Sequence, residues 1–139
     1  MRSLQAVLPE DSAQILRATA LDITEPATLG LACENAHTVV SLVGVLQGTT
    51  TDFERIQWRG AENVAKAAKS AGARLIHFSA IGADPRSNLP YARTKGLGEE
   101  AVLNTHPEAT IIRPSLVFGP EDDFFNVRLR SVLCNRSVT

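Results

Sequence analysis

The sequence predicts an α/β fold, a parallel sheet whose strands alternate with helices. Three observations predict it. Short apolar runs rich in β-branched residues alternate with longer stretches that carry a helical stripe. The connections between them are short, which gives the order β-α-β-α-β-α-β. The run Thr38–Val45 also lacks a clean apolar/polar alternation, as a strand covered on both faces does. No repeat and no linker interrupts residues 14–126, so the 139 residues hold one core.

Taken in order, Ser3–Leu8 reads as a short helical scrap closed by Pro9. Gln14–Asp22 reads as the first strand. Thr24 is placed as an N-cap, with Pro26 in the first turn of a helix over Pro26–Asn35. Thr38–Val45, TVVSLVGV, reads as a second strand. Thr49–Asp52 cap a long helix, Phe53–Ser70, with Phe53, Ile56, Val64, Ala67 and Ala68 as its apolar stripe and Gly72 as its stop. Leu75–Phe78 is a third strand and ends in Ser79. A polar loop with Gly82, Pro85 and Pro90 follows, then a helix from Tyr91 to about Asn104. Pro107 precedes a strand over Ala109–Ile112, and Pro114, which has no N–H to donate, ends its pairing. Residues 1–126 form the predicted domain; residues 127–139 are an irregular tail. Such alternation describes a doubly wound, Rossmann-like half with helices on both faces and right-handed crossovers.

Composition excludes several functions. A net charge of -1 leaves no electrostatic footprint for nucleic acid or an anionic membrane surface. No apolar run approaches a membrane span. The first residues carry no signal or transit pattern. Cys33 and Cys134 stand in no metal or redox spacing, and Cys33 reads as packing. The acids Glu121, Asp122 and Asp123 lack the spacing of a hard-ion loop and read as a solvated turn, so no metal is expected. His37, His77 and His106 show no pairing, and His77 reads as a core-edge residue.

The chemistry concentrates at Leu75–Glu99. Ser79 lies at the carboxyl end of a strand, where open α/β sheets bind ligands. Tyr91 and Lys95 are one helical turn apart and share a face. A free phenol titrates near pH 10 and is a poor acid or base at neutral pH. A neighbouring ammonium favours the phenolate and would move Tyr91 toward acid/base work, with Ser79 holding the substrate oxygen. The same residues also fit a blander account, a half-buried aromatic at a helix start and a solvated lysine. Asp22 and Ile23 follow the first strand; on the residues alone Asp22 is equally a helix-start acid. Leu42, Val43 and Gly44 end the second strand, where a glycine lets backbone approach a ligand closely or simply makes a turn.

Together these segments resemble the extended and atypical short-chain dehydrogenase/reductases. A strand-end Ser followed by Tyr-x-x-x-Lys is that family's catalytic signature. Arg113-Pro114-Ser115-Leu116-Val117-Phe118-Gly119-Pro120 is similar to its Arg-Pro-x-x-Val-Tyr/Phe-Gly-Pro segment, and Asn63 matches a helix pattern of its extended members. Ser79–Asp84, Tyr91–Lys95, Gly98-Glu99 and Phe118–Asn126 resemble one branch. That branch holds the nucleotide-binding accessory subunit of respiratory complex I and its bacterial and fungal relatives, one tied to coenzyme Q synthesis. The resemblance implies NADP or NAD as cofactor. It assigns Ser79, Tyr91 and Lys95 to catalysis. Asp22, Ile23, Leu42, Val43, Gly44, Tyr91, Lys95 and Pro114 would meet the dinucleotide. It further implies complex I or quinone-pathway proteins as partners and, in a eukaryote, a mitochondrial site. The members of that branch hold the cofactor mainly as a structural ligand.

The sequence contains no Gly-x-x-Gly-x-x-Gly turn, which in that family cradles the pyrophosphate. The expectation is therefore a partial domain that lacks the first β-α-β unit and is truncated at both ends. Its three functional alternatives are an accessory NAD(P)-binding module, an active oxidoreductase or epimerase, and a truncated product without function.

Overall fold

The computed structural model describes residues 21–117 and 119. The elements are α1 (Pro26–Cys33), β1 (Thr38–Ser41), α2 (Thr50–Phe53), a π-helical stretch (Glu54–Gly60), α3 (Ala61–Ser70), β2 (Arg74–Phe78), α4 (Pro90–Thr105) and β3 (Thr110–Ile112). The strands form one parallel sheet in the order β1-β2-β3, with Ser41 level with His77 and His77 level with Ile111. This is a Rossmann-like partial sheet, as the alternation predicts.

Local chemistry explains most element ends. At α2 the Thr49 hydroxyl accepts the Asp52 N–H while the Asp52 carboxylate accepts the Thr49 N–H, a reciprocal cap. Gly72 closes α3 at φ +66°, a conformation that costs glycine nothing. Pro90 occupies the first turn of α4, where its missing N–H is harmless. β3 stops at Ile112, two residues before Pro114.

Several expectations are corrected. The strand read over Gln14–Asp22 lies outside the described residues except for Leu21 and Asp22, which belong to no strand. The helical scrap at Ser3–Leu8, the acids 121–123, Cys134 and the tail also lie outside them. Glu25, not Thr24, stands at the N-cap of α1 and makes no side-chain cap; the Thr24 hydroxyl instead donates to the Asp22 carboxylate. β1 ends at Ser41, so Leu42–Val45 are loop. The long helix is interrupted by the π stretch, which periodicity does not reveal.

The sheet's two faces differ among the described residues. Val39, Leu75 and Ile111 point to one side, into a core with Ile23, Leu29, Ala61, Val64, Ala65, Ala68 and Val102. Val40, Ile76, Phe78 and Ile112 point to the other. α1 packs on α3, α3 on β1 and β2, and α4 on α3. Among the described residues every helix thus belongs to the first face.

The depth of α4 is set by two contacts with the π stretch. Thr94 is fully buried; its hydroxyl accepts from the Gln57 amide and donates to the Pro90 carbonyl. One turn on, Gly98 lies against the Gln57 backbone: a Cβ there would sit 2.3 Å from its carbonyl oxygen. Gly98→Ala should therefore destabilise the fold by about 1–3 kcal/mol, the cost of overpacking against rigid backbone. Gly30→Ala, in α1 with open space around it, should be neutral or stabilising by up to about 1 kcal/mol. Urea midpoints of the two variants check the contrast.

Candidate active site

Moving up β2, the residues facing the helices change from Leu75 to His77 to Ser79, all buried. The apolar core thus becomes polar toward the carboxyl end of the strand. The next stripe of α4 meets it there: Lys95 and Glu99, four residues apart, are 6% and 7% exposed. The Lys95 ammonium donates to the Phe78 carbonyl at 3.2 Å, one residue before Ser79. It also lies against Gly44, where a Cβ would be 3.1 Å from Nζ and 3.8 Å from the Gln57 Oε1. Three of the sequence-predicted positions, Gly44, Ser79 and Lys95, are therefore drawn toward one place at the carboxyl ends of β1 and β2.

The other predicted positions divide. Ile23 and Val43 line an apolar cavity of about 200 Å³ beside β1, together with Leu21, Val39, Val40 and Ser41. Leu42 points outward and is 69% exposed. The Asp22 carboxylate is exposed and accepts the N–H and hydroxyl of Thr24; these bonds hold its pKa below the usual carboxylate range. The Ile23 carbonyl accepts from Asn63, so the helix asparagine singled out in the sequence anchors this turn. The Pro114 carbonyl accepts the Ile81 N–H, which ties the loop after β2 to the chain leaving β3. A wider open groove of about 640 Å³ between α1 and α3 is lined by none of the predicted site residues.

Tyr91 departs from expectation. Its ring lies edge-on to Phe53, centroids 6.2 Å apart. Burial pushes the phenol up from its ordinary value, the reverse of the lowering expected from Lys95. The Lys95 ammonium is bonded to the strand carbonyl of Phe78, and burial is the cause of the Tyr91 shift. Lys95 itself is pushed down by burial, partly offset by Glu99.

Sequence reasoning gave no site role to five buried polar residues, Ser41, Gln57, His77, Thr94 and Glu99. His77, read as core-edge, is 2% exposed and neither ring nitrogen has a hydrogen-bond partner among the described residues. Gln57 Oε1 and Ser79 Oγ are likewise unpaired. Glu99 is held by Arg113, whose Nε and Nη2 each bond one carboxylate oxygen. A signal for Glu99 existed, since it continues the Tyr91–Lys95 face by one turn. Gln57 and His77 gave none. Among the described residues no His, Cys, Asp or Glu cluster could hold a metal ion, and no helix is long and apolar enough to cross a membrane.

Ser79 Oγ and Gln57 Oε1 thus keep free hydrogen-bonding capacity, and Gln57 Oε1 lies near Gly44. Comparison with known proteins shows the family. Residues 3–136 match the NAD dependent epimerase/dehydratase family. The chain is 35% identical over 102 residues to the ceramide reductase of Caulobacter vibrioides, covering 73% of this chain and 32% of that protein. It is 36% identical over 107 residues to NADH dehydrogenase (ubiquinone) 1 alpha subcomplex subunit 9, mitochondrial, of Mus musculus, covering 76% and 28%. The chain thus spans about a third of the length of these relatives. The dTDP-4-dehydrorhamnose reductase of Bacillus anthracis in complex with NADP superposes with a TM-score of 0.73 at 20% identity, over 84% of this chain and 49% of that one; this likeness shows the fold.

His77 yields a pH prediction. Burial, aided by the Lys95 charge, lowers its pKa to about 4 from 6.5. The folded state therefore binds a proton less readily than the unfolded one. The sign follows: His77 leaves stability untouched above about pH 6.5 and erodes it as pH falls toward 4. Replacing it with Gln should remove up to about 3 kcal/mol of that erosion. The difference between wild-type and His77→Gln urea midpoints, followed from neutral to acid pH, reads it.

Proposed function

The chain belongs to the NAD dependent epimerase/dehydratase family, and from that premise we propose that it is an NAD(P)-binding module with an accessory, non-catalytic role. The one observation that carries this reading is the pairing of a buried, well-held Lys95 with an unactivated Tyr91. Lys95 is bonded to the Phe78 carbonyl beside Gly44 and Ser79, which suits holding a cofactor. Tyr91 packs on Phe53 with its phenol pushed up, which does not suit proton transfer near neutral pH.

In this reading Lys95 and the backbone at Gly44 hold the nicotinamide side, and Ile23 and Val43 line the apolar cavity beside β1. The similarity to complex I subunits, mitochondrial by name, supports an assembly partner of that kind and, in a eukaryote, that location. A nicotinamide, when bound, supplies or accepts a hydride. Ser79 Oγ, buried and unpaired, supports the second reading, a working oxidoreductase or epimerase. There Ser79 would donate to a substrate oxygen and Tyr91 would give it a proton. The likeness to reductases favours that alternative equally in sequence.

The sequence has no Gly-rich phosphate turn, so binding by these 139 residues should be weak, with a Kd of about 1 mM. Saturation-transfer NMR with NADPH reads it. Lys95→Met should abolish the transfer, and Tyr91→Phe should leave it unchanged. Under the accessory reading no ketone is reduced by the chain with NADPH; turnover lost in Tyr91→Phe would replace that reading with the second. Strong NADPH binding that survives Lys95→Met would overturn the site itself.

A further inference from the structure

We infer that Gly96 is a positioning residue: it seats the Asp84–Pro85 peptide directly on α4, and through that seat it fixes the loop Ala80–Leu89, and with it Ser79, as a standing wall of the strand-end site. The inference deepens the site described above. The seat belongs to the chain itself, and only its use for a ligand rests on the proposed function.

By composition the loop has little to hold it. AIGADPRSNL carries Gly82, Pro85 and mostly small or polar side chains, the make-up of a mobile connection. The structure ties it at three levels. At its start the bonding between β2 and β3 runs on past both strands. The Ser79 N–H donates to the Ile112 carbonyl at 2.8 Å, and the Ile81 N–H to the Pro114 carbonyl at 3.0 Å. Ala83 then turns inward and is buried, its N–H on the Ala80 carbonyl. In the middle the Asp84 N–H crosses to α4 and donates to the Ala92 carbonyl at 3.1 Å. Asp84 also closes its own turn: its carboxylate accepts the Arg86 N–H and its carbonyl the Ser87 N–H. At the end the Ser87 hydroxyl accepts the Leu89 N–H, just before α4 begins.

Gly96 decides whether the middle tie can form. It lies four residues after Ala92, on the same face of α4. A Cβ at Gly96 would stand 2.3 Å from the Pro85 nitrogen and 2.6 Å from both the Asp84 carbonyl carbon and the Pro85 Cδ. Those atoms are backbone and a closed ring, so no flexible side chain can swing aside. With a Cβ there, either the loop lifts from α4 or α4 withdraws from the loop. Lifting breaks the Asp84–Ala92 bond and pulls on the chain back to Ile81 and Ser79. Gly98 supplies a matched control. Its Cβ would meet the Gln57 carbonyl oxygen at the same 2.3 Å, but about 200° round the helix. A glycine that served helix packing alone would behave at position 96 as at position 98.

The test is residue-resolved amide hydrogen exchange on the 139-residue chain, labelled with nitrogen-15 and free of nucleotide. In the wild type the Ile81 and Asp84 amides should exchange at least about tenfold more slowly than in an unfolded chain. Gly96→Ala should cost the Ile81, Ala83 and Asp84 amides about tenfold or more in protection relative to the β2 amides, and should move the Ser79 amide signal. Gly98→Ala should lower loop and strand together and leave their ratio unchanged. Should Gly96→Ala fail to fold, Pro85→Ala, which takes the ring away from the loop's side of the contact, should show the same selective loss at Asp84 to a smaller degree. Wild-type loop amides that exchange at the unfolded-chain rate, or a loss in these variants that loop and strand share equally, would overturn the inference. Because no nucleotide is present, either result stands apart from whether the chain binds NADPH.

Discussion

The contact on which the site depends is that of α4 with the Gln57 carbonyl at Gly98. A π-helical stretch makes one turn wider than an α-helix and shifts its backbone groups out of register. Here the shifted turn brings a carbonyl to the surface that α4 packs against, and only a residue without a Cβ can lie on it. Thr94, one turn earlier on the same face, is sealed by the Gln57 amide. With those two points fixed, the adjoining stripe of α4 has no choice of depth. Lys95 and Glu99 are pressed into the space above β2, and Val102 joins the apolar core below them. The helix therefore carries a lysine and a glutamate to where leucines would ordinarily lie.

That burial has to be compensated, and the compensation is uneven. Glu99 has the Arg113 fork, and Lys95 has the Phe78 carbonyl. His77 has nothing but its neutrality, and Ser79 and Gln57 each keep an unpaired oxygen. The gradient runs with the strand: Leu75 is satisfied by apolar neighbours, and the polar atoms without partners gather toward the carboxyl end. Folding alone gives no reason to place unpaired polar atoms there, because each costs about 1–3 kcal/mol. A strand end that accepts a ligand gives one.

Much of this was legible in the sequence. Thr49 and Asp52 announced a cap, Gly72 a stop and Pro114 the end of pairing, because each acts through its own backbone or its nearest neighbours; Pro90, read as loop, proved to be the first residue of α4. The β-branched runs located β1, β2 and β3 to within a few residues. What stayed hidden depends on partners far away in the chain. The π stretch has the composition of an α-helix, and only its packing on Gly98, about forty positions later, gives it away. Arg113 read as part of a motif, whereas its guanidinium serves a glutamate on α4. Thr24 looked like a better cap than Glu25, but its hydroxyl had a nearer acceptor in Asp22. Val40, Ile76 and Phe78 are as apolar as the residues that face the helices, so the pattern alone does not tell which face the described helices take.

The Tyr-x-x-x-Lys pair marks where spacing stops being chemistry. Four residues on a helix guarantee that two Cβ atoms lie about 6 Å apart on one side. They guarantee nothing about the ends of two long side chains. Lys95 has four methylenes with which to reach inward to a strand carbonyl, and the phenol of Tyr91 is rigid and follows its ring against Phe53. Burial penalises the phenolate of Tyr91. The result is a shift upward in a residue whose motif implies a shift downward. The ring that Tyr91 meets, Phe53, lies at the end of α2, whose start is set by the capping box of Thr49 and Asp52. The surroundings of the motif tyrosine thus include an element that the motif does not mention.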